Sequence, residues 1–528
     1  MTRFKNHKVR YQAVPLVGHA SAIAEPLTFI YNLSLKLGKI PLEWKNAIVT
    51  PIFKNKGSKH DPSNYRPISL TCIACRIMES IIRDSMMKYL RTNVLLSDMQ
   101  YGFIGGRSTV LQLLHVLDKW TEVLDTGGYV DVIFCDFQKA FDTVPHNRLL
   151  ELLRHYGITD PVLAWIEDFL RNRNQSVSVN GCKSKYFRVT SGVPQGSVLG
   201  PLLFIIFINS LIEKINSPEM LLYADDVKIF KAISSHECTE LLQQHLDKMY
   251  DWTCYSLLRF HPDKCVTMRL SASKRNNPEI FNRGRYNLDN VQLKDVDNVK
   301  DLGVYFNDSL SFDDHIHIKS KKANSLVGMI RRTFTYLDQH MFKQLFTSVI
   351  RPHLEYGGPV WNPHLKKHIQ TIENVQRRAS KMIPGLSHLR YKERLKKINL
   401  PTLVYRRYRG DMIEAFKITH GFYDKEVCGD ILKIRNRSET ERESRSHQYT
   451  IQRDKCNKDL RKYFFRNRIA NQWNNLPIDI VNASTLNTFK KRLDKIWTRD
   501  DIMFDSEIDL YQVTSERKTR YLRHEDIR

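Results

Sequence analysis

Apolar residues fall along this chain in short runs with two different rhythms. Runs rich in Val, Ile, Phe and Tyr cover residues 48–53 and 129–136 and flank Ala224-Asp225-Asp226. Their length and composition predict buried strands. Wider apolar spacing, near three to four residues, predicts helices over 26–37, 73–90, 147–156 and 238–254. The continuous run 198–208 is too short to span a bilayer and reads as a buried helix. From 314 to about 420 the positions of Leu326, Ile330, Leu345, Val349 and Ile350 continue the helical rhythm. Residues 421–457, above all from 435 onward, are charged, Ser-rich and poor in apolar residues, which predicts a flexible linker. A last apolar set, Trp473, Leu476, Phe489 and Leu493, predicts a small helical unit within 458–528.

Polar residues at the strand ends bring in chemistry. Tyr223-Ala224-Asp225-Asp226 joins two apolar runs, so two carboxylates sit at a hairpin tip, and Asp136 closes a third run. Carboxylates converging from strand ends suit a pair of hard, oxygen-seeking Mg²⁺ ions. Such a pair can activate a 3′-hydroxyl and stabilise a leaving pyrophosphate, the chemistry of a nucleic-acid polymerase. Asp-Asp alone is a weak signal, since a solvated turn carries the same dipeptide. Two neighbours strengthen it. Phe141 follows Asp136 by five residues, where a helix can begin and a ring beside a sugar would exclude a 2′-hydroxyl; a core aromatic is the plainer reading. Ser191-Gly192-Val193-Pro194-Gln195-Gly196-Ser197 offers backbone that can approach a ligand closely, and the Gln195 amide can meet a base or sugar; an ordinary turn is the alternative.

These blocks occur in a characteristic order. Asn64-Tyr65-Arg66-Pro67-Ile68-Ser69-Leu70 comes first, then Tyr101-Gly102-Phe103 with Gly106-Arg107-Ser108, then the three blocks above. His261-Pro262-Asp263-Lys264-Cys265 and Asp301-Leu302-Gly303-Val304 follow, with Arg351-Pro352-His353-Leu354-Glu355-Tyr356 and Trp361-Asn362-Pro363 further on. In this order the chain resembles the reverse transcriptases of non-LTR (LINE) retrotransposons, closest to the jockey-like group. It departs from their usual pattern at Ile104, where Arg is common, and at Ser210, where Asp is usual.

The resemblance implies an α/β right-hand polymerase. Residues 1–128 would be an N-terminal extension and fingers, 129–306 a palm with an antiparallel sheet, and 307–420 a helical thumb with the helical region after it. It implies Asp136, Asp225 and Asp226 as metal ligands for two Mg²⁺ ions, with Mn²⁺ as a substitute. Lys264 would protonate pyrophosphate. Lys54, Lys56, Arg66, Phe141, Gln195, Gly196 and Tyr223 would contact the deoxynucleoside triphosphate. Leu302 and Gly303 would grip the primer end. The implied partners are an RNA template, a DNA primer and their RNA–DNA hybrid. A maturase-like splicing factor and a catalytically dead nucleic-acid-binding remnant are the rival readings.

Charge and cysteine content refine this picture. In 528 residues, 82 basic against 57 acidic side chains leave +25, which calls for a polyanionic partner. Eleven of the basic residues lie between Arg377 and Arg409, interleaved with Tyr391, Tyr405 and Tyr408. That pattern predicts Arg406, Arg407 and Arg409 on a nucleic-acid-binding face, against the alternative of a solvated helix surface. Nine cysteines without a repeating spacing predict free thiols and an intracellular setting, in nucleus or cytoplasm, with no targeting signal or membrane span evident. The fingers strand begins about fifty residues from Met1, so no nuclease domain is expected alongside the polymerase.

Overall fold

The structure is a computed structural model, described over residues 20–272, 286–429, 431–435, 447–499 and 502–507. It is a mixed α/β fold with two main sheets. The first sheet is a hairpin of Asn46–Phe53 and Tyr65–Leu70, with Arg173–Val179 parallel to the former; Cys182–Lys183 and Phe187–Val189 extend it.

The second sheet has Tyr129–Asp136 at its centre, between Asp226–Ile233 and Val266–Ser271, both antiparallel to it. Met220–Tyr223 and Lys294–Asp295 form its edges. The central strand reads as an unbroken apolar run because helices cover both of its faces. On one side, Trp120 of the helix Thr109–Asp125 meets Phe230 and Phe306 edge to face, 5.9 Å between ring centroids. On the other, Gly200–Ile215 is buried on nearly every side, as its continuous hydrophobicity predicts. Asp131, a charge within this strand, is satisfied by Arg269 at 2.6 Å and by the Tyr286 hydroxyl at 2.7 Å.

Beyond the Asn298–Asp301 and Val304–Asn307 hairpin the chain is helical, from Asp313–Thr333 to Leu403–Thr419. The stretch expected as a linker is not one over its described parts. Val427, Cys428, Ile431, Leu432 and Ile451 are buried in the common core, and Ile434 bridges Ile451. A few apolar residues at the right places suffice to anchor a polar segment. Within it, residues 430 and 436–446 lie outside the described residues. The C-terminal helices are likewise no separate unit. Trp473, Phe489, Leu493 and Trp497 enter the same core as Leu403–Thr419. Arg461 reaches back to Asp118 at 2.7 Å, and Arg468 holds Asp411 at 3.0 Å. No helix among the described residues is long and apolar enough to cross a membrane.

Candidate active site

Strand register assembles the acidic residues. Asp136 and Asp226 are direct partners across the central pair, at the same end of the sheet. Tyr223 pairs with Asp226, so Ala224 and Asp225 form the two-residue turn, with Ala224 at φ 58°. Three carboxylates therefore gather at one end of three strands.

Their electrostatics are unfavourable without a cation. Burial raises the Asp225 carboxyl above its ordinary range, and Asp136 adds to the rise. Desolvation, then Asp225, Asp301 and Asp136, pushes Asp226 up to about 7. Solvent still reaches the outer edge of Asp226, so repulsion from its neighbours is the firmer of these causes. Lys264 supplies the nearest compensation, its Nζ 2.5 Å from Asp136 Oδ2. Among the described residues no three His, Cys, Asp or Glu side chains form a ready-made metal cage. All-oxygen, acidic and mutually repelling, the donor set fits a hard divalent cation.

Cations crowd the same end of the sheet. Lys54 and Arg66 come from the hairpin of the first sheet, where Lys54 Nζ donates to the Ser63 carbonyl at 2.8 Å. Desolvation lowers the Lys54 ammonium, and so do the charges of Lys264, Arg66 and Lys56. Three cations thus act on Lys54, an environment that suits an anionic ligand.

Phe141 lies in the short helix Ala140–Thr143, half-buried, stacked on Phe204 at 4.3 Å and edge-on to Phe103 at 6.1 Å. It is thus a packed aromatic, five residues after Asp136 along the chain. The Gln195 amide is engaged within the protein, donating to Asp142 Oδ1 at 3.0 Å, while Ser69 N–H donates to the Gln195 carbonyl at 2.7 Å. Gly196, at φ 119°, closes against the same strand; a Cβ there would stand 2.4 Å from the Ser69 carbonyl oxygen. The close approach expected of this loop is therefore to Tyr65–Leu70, and it ties that strand to the Asp142 segment.

Leu302 and Gly303 form the tip of their hairpin, and the Tyr356 hydroxyl donates to the Leu302 carbonyl at 2.8 Å. Lys319 lies 5.9 Å from the rings of both Tyr305 and Tyr356, and Lys300 lies 5.5 Å from that of Tyr305. Sequence reasoning missed this cationic and aromatic patch, although Tyr356 closes a block that it had singled out.

The arginine cluster needs correction. Arg407 is only 5% exposed and donates to Asn362 Oδ1 at 3.1 Å. Arg406 pairs with Glu355, and Arg409 grips Asp494 at 2.6 and 2.8 Å. All three bind the helices together. Partners far away in sequence, invisible to a local charge count, fix their direction. Ile104, one of the two departures, is buried at 4% exposure, and the Ser210 hydroxyl accepts from Trp252 Nε1 at 3.0 Å.

Part of the chain is similar to known proteins. Residues 54–306 match the family model described as reverse transcriptase (RNA-dependent DNA polymerase). The probable RNA-directed DNA polymerase from transposon X-element of Drosophila melanogaster is 24% identical over 373 residues, 68% of this chain. Those of the mobile element jockey and of transposon BS, from the same organism, are 27% and 28% identical over the same share. This chain spans 40% of the length of each of these relatives. Solved telomerase chains from Candida tropicalis and Candida albicans superpose loosely, with TM-scores of 0.39 and 0.38 at 11% identity. They cover 72% and 68% of this chain, and 66% of each of their own. The three carboxylates, Phe141 and most of the ordered blocks lie within the matched residues, where the chain is similar to the RNA-directed DNA polymerases of jockey-type mobile elements.

Proposed function

We propose that this chain extends a primer 3′-end on an RNA template with deoxynucleoside triphosphates. The observation that carries the reading is the register pair Asp136–Asp226 with Asp225 in the adjoining turn, near Lys54 and the cations that act on it. Asp136, Asp225 and Asp226 would hold two Mg²⁺ ions, or Mn²⁺ in their place. Bound there, the metals would activate the primer hydroxyl and stabilise the leaving pyrophosphate.

The protein's own groups do the rest. Lys54, Lys56 and Arg66 receive the triphosphate, and its charge relieves their repulsion. Phe141, braced by Phe204, walls the sugar side and excludes a 2′-hydroxyl. Tyr223, half-buried on the strand that leads into the turn, borders the same space. Gln195 and Gly196 fix the floor by locking Asp142 to the Ser69 strand. Lys264, whose ammonium lies against Asp136, would be the group that gives its proton to pyrophosphate. Leu302, Gly303 and the patch of Lys300, Lys319, Tyr305 and Tyr356 receive the backbone of the RNA–DNA hybrid, read by shape and charge.

In this reading the first sheet and its helices act as fingers, 129–306 as palm, and the helices after 307 as thumb. The intact carboxylate set argues against a dead binding remnant. The test is extension of a DNA primer annealed to an RNA template by the purified chain with four deoxynucleotides and Mg²⁺. Template-length DNA is expected; an unextended primer under conditions where the hybrid is bound would contradict the proposal.

A further inference from the structure

We infer that Gln100 is a positioning residue that sets the catalytic turn, an assignment that rests on the polymerase reading above. Gln100 lies just before Tyr101-Gly102-Phe103 and is fully buried. Its side-chain oxygen Oε1 accepts two backbone hydrogen bonds, from Gly102 N–H at 2.7 Å and from Ala224 N–H at 2.9 Å. Ala224 is the residue immediately before Asp225 and sits at φ 58°, a conformation that a side chain other than glycine's resists. One carboxamide oxygen thus holds the strained residue on which the direction of Asp225 depends.

The surroundings make this oxygen hard to replace. Gly102 packs so closely that a Cβ there would stand 2.4 Å from the Ala224 nitrogen. The strand feeding the turn is held by the same segment: Leu222 N–H donates to the Met99 carbonyl, and Tyr101 N–H to the Leu222 carbonyl, both at 2.8 Å. Gln112, fully buried, adds its amide to that carbonyl at 2.9 Å. Arg107 fixes the other side of Gln100, donating to its backbone carbonyl at 2.7 Å. By contrast, the Gln100 amide nitrogen has no hydrogen-bond partner among the described residues. What is conspicuous here is the acceptor, so a carboxyl at this position keeps the function and an aliphatic side chain of similar size does not.

The experiment compares Gln100→Leu, Gln100→Glu and wild type by two readouts on the protein–hybrid complex. Mn²⁺ binding is titrated by electron paramagnetic resonance, and primer extension is followed against Mg²⁺ concentration, with thermal melting as a check on folding. Gln100→Leu is expected to weaken Mn²⁺ binding at least five-fold and to raise the half-saturating Mg²⁺ similarly, with hybrid affinity within two-fold of wild type. Gln100→Glu is expected to restore both. If the Leu variant melts lower but binds and uses metal like wild type, Gln100 is merely a packing residue and the inference fails. Should Leu not fold, loss of metal affinity in a folded Gln100→Glu variant would overturn it equally, and retention would support it. If wild type extends nothing while the Leu variant still weakens Mn²⁺ binding, the polymerase reading fails and the positioning role stands.

Discussion

Lys264 Nζ stands 2.5 Å from Asp136 Oδ2, so an ammonium rests on one of the proposed metal ligands. This ion pair is half-exposed and therefore readily exchanged. Replacing Lys264 by Met removes a competitor for the carboxylate and, with it, an acid. The half-saturating Mg²⁺ should fall a few-fold while the maximal extension rate drops roughly 100-fold. Extension measured across Mg²⁺ concentrations separates the two effects. A lower rate with an unchanged or higher Mg²⁺ requirement would dissociate Lys264 from Asp136.

Proton and metal compete for Asp226. Its carboxyl is pushed up to about 7, first by desolvation and then by three neighbouring carboxylates. With a folded value above the ordinary 3.8, its contribution to stability is fullest below about pH 4 and is lost as pH rises toward 7. A divalent ion reverses this penalty by neutralising the ionised form. The Mg²⁺-induced rise in Tm should therefore grow between about pH 6 and pH 8, with apparent affinity climbing up to about tenfold per unit below 7. Melting curves with and without Mg²⁺ at several pH values check it; a pH-independent increment would remove Asp226 from the metal site.

Phe141 combines a packing role with a specificity role. Phe141→Val should raise ribonucleotide relative to deoxynucleotide incorporation by on the order of tenfold. Losing the stack on Phe204 should also cost about 1–2 kcal/mol for this half-buried ring. Single-nucleotide incorporation assays with both sugars give the ratio. Destabilisation without a change in the ratio would make Phe141 a core residue alone.

Two groups of cations should behave oppositely. Arg409→Ala breaks the pair with Asp494 and should cost about 1–2 kcal/mol of stability, with the salt dependence of hybrid binding unchanged. Neutralising Lys300 and Lys319 together should weaken hybrid binding for every sequence. It should also flatten the slope of log affinity against log salt by about 2. Binding titrations at several salt concentrations decide between the two surfaces.

Much of the site could be read from the chain because its signals are local. Apolar runs closing at Asp136 and on either side of Ala224-Asp225-Asp226 specified strands, and the residues between the latter two specified a turn. The direct pairing of Asp136 with Asp226 needed tertiary structure, although convergence of strand ends anticipated it. What stayed hidden depends on distant partners. A count of arginines at 406–409 cannot tell water from Glu355 or Asp494. The charged composition of 421–457 likewise concealed the anchoring by Val427, Ile431 and Ile451. Gln100 carried no signal of its own, because its role lies in two backbone N–H groups that folding brings to one oxygen.

Nucleotide addition is proposed to depend on the carboxylates at the end of this sheet. Asp225→Asn removes an anionic ligand at almost constant volume, so fold and hybrid affinity should survive. Its single-turnover rate of deoxynucleotide addition on an RNA template, measured beside wild type with hybrid binding followed in parallel, is the most direct test. A rate loss of about 1,000-fold or more is expected, with hybrid affinity within about two-fold of wild type. A variant that adds nucleotides at near wild-type rate would contradict it.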